Sequence, residues 1–253
     1  MKKVKSLFAL ALAVLFVLCA LTGCGVEKEY KYNTEVISVD NAPTNEDVKV
    51  EEITGFAEDT KQEFIEVPFK VGTTGLEIVA VGKYTGVYTD SGENKEEKDI
   101  LALVVKNTTD KIISYSSFTF GYAKKSECTF NATNLPVNQS ALVFTSTESV
   151  KYSDVTKLEL KDSMAVPCDE LPILDRVGVD YKDGEFIVTN QSGDDLGDVY
   201  IRFKNVSDGN AYLGGITYSV EIPDLLGYET RKVPAENFNT DTSVIVAVDN
   251  YKE

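Results

Sequence analysis

Beyond Lys70 the apolar residues recur at every second position, and almost no helical spacing interrupts them. Leu101, Leu103 and Val105 alternate with Ala102, Val104 and Lys106, and Phe118, Phe120 and Tyr122 with Thr119 and Gly121. Val199, Ile201 and Phe203 alternate with Tyr200, Arg202 and Lys204, and Val244, Val246 and Val248 with Ile245, Ala247 and Asp249. One apolar face and one mixed face is the pattern of a strand that meets a core on one side only. Asn, Asp, Gly and Pro punctuate the runs, and Asp183-Gly184 reads as a tight hairpin turn. The pattern predicts an all-β chain.

The strands come in two related sets. Ala102 to Phe120 aligns with Glu185 to Phe203 at a constant offset of 83 positions, Leu103-Val104-Val105 falling on Phe186-Ile187-Val188 and Asn107 on Asn190. Leu135-Pro136-Val137-Asn138-Gln139-Ser140 then matches Leu225-Leu226-Gly227-Tyr228-Glu229-Thr230 at an offset of 90. The seven extra residues of the second copy lie between these blocks, where a surface loop tolerates an insertion. Each copy holds about six short strands, the number and spacing of a small β-sandwich. The boundaries expected are 71–168 and 169–253. Asn107 and Asn190 are expected in the turn leaving the second strand, where Asn tolerates left-handed backbone and bonds its neighbours.

Val105-Lys106-Asn107-Thr108-Thr109-Asp110-Lys111 and Val188-Thr189-Asn190-Gln191-Ser192-Gly193-Asp194, each followed by an alternating aromatic strand and the Leu-turn block, resemble the small immunoglobulin-like modules of bacterial lipoproteins, the FxLYD-type and telokin-like groups. The Phe-x-Leu-Tyr-Asp run itself is replaced by Phe120-Gly121-Tyr122 and Phe203-Lys204-Asn205. The resemblance implies two tandem immunoglobulin-like β-sandwiches and no particular activity.

The first residues carry an address. Lys2, Lys3 and Lys5 precede an uncharged apolar run from Leu7 to Leu21, which as a helix is roughly 22 Å long and short of the ~30 Å hydrocarbon core. The run ends in Leu21-Thr22-Gly23-Cys24, which resembles a lipobox. That resemblance implies a lipoprotein signal peptide over 1–23 and lipidation of Cys24, with diacylglyceryl and palmitate-like chains holding the protein on the extracytoplasmic face of the cell membrane. Residues 24–70 are acidic and short of aromatics, and are expected to form a tether, with an added edge strand at Val36–Val39 or Phe64–Val67 as the alternative.

Charge and composition narrow the function. The chain has 41 acidic and 25 basic residues, a formal −16 that becomes −19 once the leader takes three lysines and no acid with it. A nucleic-acid binder needs a cationic face, so that class is set aside. Histidine is absent, which removes Ser-His-Asp and Cys-His catalysts and His-ligated zinc. Acids crowd between Asp90 and Asp99 and between Asp194 and Asp198, but neither run has the EF-hand spacing. No metal, cofactor or catalytic residue is therefore assigned. Cys128 and Cys168 are left to pair or to stay as two free thiols. The function expected is non-catalytic, holding a protein or envelope polymer near the membrane. A structural accessory role in a transporter or envelope complex is the alternative, and a carboxylate-based hydrolase a more distant one. Within the insertion, Tyr212, Leu213, Gly214 and Gly215 pair an aromatic and an aliphatic residue with glycines, and are the contact patch expected first.

Overall fold

The structure, a computed structural model, describes residues 42–251 apart from 62, 91, 92 and 147. The described chain is all-β and gathers into several sheets in the manner of a β-sandwich. Strands β1 (Phe56–Glu58), β2 (Phe69–Lys70), β3 (Leu76–Asp90), β4 (Glu93–Asn107), β5 (Ile112–Gly121), β6 (Glu127–Leu135), β7 (Ser140–Phe144) and β8 (Glu159–Cys168) come first. Strands β9 (Val177–Lys182), β10 (Glu185–Asn190), β11 (Val199–Ser207), β12 (Ala211–Ile222), β13 (Thr230–Pro234) and β14 (Ser243–Asp249) follow. One long sheet runs β1-β3-β4-β7-β12-β11-β14, with β2 on the flank of β3. Two three-stranded sheets, β6-β5-β8 and β13-β10-β9, complete the set.

Strand register reproduces the internal repeat. Leu103 faces Val143 and Val105 faces Ala141; Phe186 faces Val233 and Val188 faces Arg231 at the same offsets. Phe118 faces Phe130 and Phe120 faces Cys128, and correspondingly Ile201 faces Val220 and Phe203 faces Tyr218. The pairings β3-β4-β7 and β6-β5-β8 thus return as β9-β10-β13 and β12-β11-β14. Each set encloses its own apolar cluster, one around Phe118, Phe120 and Phe130, the other around Phe186, Phe203 and Phe238. The Asp183-Gly184 turn has φ of 55° and 84°, the left-handed pair that a two-residue hairpin requires.

The two sequence signatures of the repeat meet in space. Asn107 is fully buried; its Nδ2 donates to the carbonyls of Lys111 (2.8 Å), Leu135 (3.0 Å) and Pro136 (3.1 Å), and its Oδ1 accepts from Thr109 N and Oγ1. Asn190 repeats the knot with Asp194 (2.7 Å) and Leu226 (2.9 Å), its Oδ1 accepting from Ser192. Both asparagines are the last residues of their strands and neither has the left-handed backbone that asparagine tolerates; they bond their neighbours, as expected, through the amide.

Two other expectations are revised. The outer face of β4 is not mixed and wet. Ile100, Ala102 and Val104 are as buried as Leu101, Leu103 and Val105, because residues 42–58 run across them. In that run Ile53 is buried, Val48, Val50 and Phe56 pack beside it, and β1 pairs with Tyr84, Lys83 and Gly82 of β3. From residue 42 onward, then, the acidic stretch is a strap on the sheet rather than a leash. Residues 24–41, with the Val36–Val39 alternative, lie outside the described residues. In β14 a register shift opposite Arg202 and Phe203 brings Ile245 and Val248 to the core, where strict alternation predicted Val244 and Val246.

Candidate functional site

The insertion that singles out the second copy lengthens the β11–β12 hairpin. Its turn, Asp208-Gly209-Asn210, carries positive φ at Gly209 and Asn210, and below it β12 runs parallel to β7, Tyr212 facing Ala141 and Leu213 facing Leu142. These two residue pairs join the first set of strands to the second in one sheet. Tyr212 is only 3% exposed and packs into the cluster of Phe118 and Phe130; burial pushes its hydroxyl up to about 12. Gly214 and Gly215 are buried as well. A Cβ on Gly215 would lie 1.8 Å from the Asn131 carbonyl oxygen, so only glycine lets β12 approach β6 so closely. Tyr212, Leu213, Gly214 and Gly215 therefore form a seam inside the molecule, not the solvent-facing patch expected from their composition.

Lys204 organises the seam. Four residues of β12, 214–217, stand between the pairs Asn205–Leu213 and Phe203–Tyr218, and the side chain of Lys204 fills the bulge they make. Its Nζ donates to Thr133 O (3.0 Å) and Gly215 O (2.8 Å) and lies 5.5 Å from the Tyr212 ring centroid. Desolvation pulls its pKa down to about 7. Thr133 Oγ1 accepts from Thr217 N (2.8 Å), tying β6 to β12 a second time. Nearby, Arg202 and Asp249 form a buried bidentate pair, with Nε to Oδ2 at 2.6 Å.

The strap locks the hairpin tip. Asn210 Oδ1 accepts from Thr44 N (2.7 Å), its Nδ2 donates to Glu46 O (2.8 Å), and Lys49 N donates to Gly209 O (2.9 Å). Asp208 accepts from Thr54 Oγ1. The partners of this turn lie more than 150 positions away in the chain, where no local pattern links them.

The remaining candidates fall apart chemically. Asp194 pairs with Arg176, Asp195 accepts from Gly227 N and Asp198 from Asp224 N, so the three acids tie their loop to three different positions of neighbouring segments instead of converging. Asp99 pairs with Lys83 at 2.8 Å. Cys128 faces Phe120 and Cys168 faces Ile112, eight residues apart along β5 or roughly 26 Å, too far for a disulfide; both thiols are free. Burial pushes Cys128 up to about 12, which suppresses thiolate chemistry. Cys24 lies outside the described residues.

Among the described residues, two open surfaces expose apolar groups around β5–β8 and β12–β13. On β5 and β8, Tyr115, Met164 and Val166 are 38%, 50% and 45% exposed on one outward face. Between β12 and β13 a cleft of about 460 Å³ reaches down to Phe203 and Tyr218, with Ile216, Val220 and Pro234 on its walls and Glu236 at its rim. No protein-family description matches the chain, and neither a curated protein nor a solved structure is similar to it.

Proposed function

We propose that this is a lipid-anchored, extracytoplasmic and non-catalytic binding protein, held to the cell membrane through Cys24, whose folded part is two tandem immunoglobulin-like β-sandwiches. The observation that carries the binding reading is the cleft between β12 and β13. It has the size of a ligand site, an apolar floor at Phe203 and Tyr218, and polar groups at the mouth. The repeated pairing scheme supports the modular reading, since each six-strand set closes around its own aromatic cluster. The anchor rests on Leu21-Thr22-Gly23-Cys24 after an apolar run, and the net charge of −19 left without the leader keeps the body off anionic lipid.

Two measurements test this reading. Cys24→Ala is expected to move the protein from the membrane fraction to the soluble one, and continued membrane retention would overturn the anchor. A photo-crosslinking residue at exposed Ser219, on the cleft wall, is expected to trap an envelope partner in intact cells; no adduct there would overturn the binding role of the cleft.

A further inference from the structure

The first copy contains the counterpart of this cleft, and there it is closed. Past the end of β7 the chain stays against β6: Phe130 and Thr145 form an antiparallel bridge, and Ser146 N donates to Thr129 O at 2.8 Å. Extended backbone from the chain itself fills the place. At the 90-residue offset those positions become Val220, Ala235, Glu236 and Ser219. Here the chain does something else. After β13 it turns away: Ala235 N donates to Gly184 O (2.9 Å) in the β9–β10 turn, and Phe238 inserts into the core. Among the described residues no strand pairs with Ser219–Ile222 on the side away from β11. That edge spans about 13 Å, and half of its backbone groups point outward from the β11 ladder. The 460 Å³ cleft opens beside it.

Resting on the binding reading above, we propose that the cleft takes an extended peptide segment that adds antiparallel to Ser219–Ile222, as Thr145 and Ser146 do to β6 in the first copy. An added strand supplies main-chain hydrogen bonds, and its alternate side chains enter the cleft over Ile216, Tyr218 and Phe203. Glu236 is the charged residue at the cleft rim, Glu221 is exposed on the strand itself, and the whole chain is strongly acidic. A segment with apolar residues at every second position and lysine or arginine between them therefore fits best, its charge speeding encounter.

The test selects from a displayed library of random decapeptides on the full chain in detergent, then maps the selected peptides by amide hydrogen exchange. Enriched sequences are expected to alternate apolar and cationic residues and to slow exchange within Ser219–Ile222 at least tenfold. Val220→Arg is expected to weaken binding more than tenfold and Glu236→Lys several-fold, with melting temperature checked for both. If Val220→Arg fails to fold, peptides with alternate amides N-methylated, in both registers, replace it: one register is expected to abolish binding. The inference is overturned if nothing is enriched, if folded Val220→Arg or both methylated peptides bind undiminished, or if protection maps to β8. A partner trapped from Ser219 in cells with no peptide enriched would overturn this ligand class and leave the binding reading intact. Peptide protection without a cellular partner would support the ligand class and count against that reading.

Discussion

At Lys204 an ammonium group sits 1% exposed against two backbone carbonyls and the face of Tyr212. Because its folded pKa is about 7 against an ordinary 10.5, the unfolded chain binds more protons between those values, and stability rises with pH across that window. Cys128 works the other way: its raised pKa removes stability once the unfolded thiol begins to ionise near pH 9, so the clean interval is pH 7 to 8.5. Denaturant titrations across it are expected to show wild type gaining on Lys204→Met by up to ~1.4 kcal/mol per pH unit, and parallel curves would refute the assignment. The buried Arg202–Asp249 pair behaves differently. Asp249→Asn removes the carboxylate that neutralises the buried guanidinium and is expected to cost about 3–5 kcal/mol, whereas replacing both partners by apolar residues is expected to cost less. The Asn107 and Asn190 knots each hold several main-chain carbonyls at once, so either asparagine replaced by alanine is expected to lower stability by about 2–4 kcal/mol in denaturant titration.

At the scale of elements, what was legible in the sequence is what local spacing encodes. Period-two alternation marks the strands, and the offsets of 83 and 90, legible over 102–120 and 135–140, mark the repeat; the facing residues of β5–β6 and β11–β12 that obey the same offsets come from the register. The role of the insertion was hidden. Tyr212-Leu213-Gly214-Gly215 has the composition of a contact loop, and only the strand it meets, β7, makes it a seam. The strap was hidden for the same reason: an acidic, aromatic-poor run gives no periodic signal, and its apolar anchors, Val48, Val50, Ile53 and Phe56, count only because the outer face of β3-β4-β7 is apolar beneath them. Tyr88 stacks on Phe144 at 4.1 Å under that cover, a face that water would reach if the strap lifted. Ile53→Asp is therefore expected to release the strap. Tryptic cleavage at Lys49, protected natively by the Lys49 N to Gly209 O bond, should accelerate at least tenfold, while β4 and β10 amides stay protected from exchange. Unchanged cleavage would mean that the strap is held by its polar contacts with Asn210 instead.

For the whole molecule the question is whether two apolar clusters mean two independent stabilities. Each cluster is closed by its own strand set, yet Tyr212 of the second copy is buried in the cluster of the first, and Lys204 reaches from β11 to a carbonyl of β6. The strap adds a third tie, from residues 44–54 to the turn at 208–210. Ties of this kind make the unfolding of one copy expose apolar and polar groups of the other, so a single cooperative transition is expected in calorimetry. Gly215→Val tests the coupling directly. Its first added atom would meet the backbone oxygen of Asn131, which cannot step aside as a side chain would, so β12 must retreat from β6. The clusters around Phe118 and Phe186 contain no residue altered by that change. Loss of about 3 kcal/mol and division of the single transition into two is the expected result, the lower one belonging to the copy left with an open edge. An unchanged single transition would show that the copies are coupled through the strap and β7 alone.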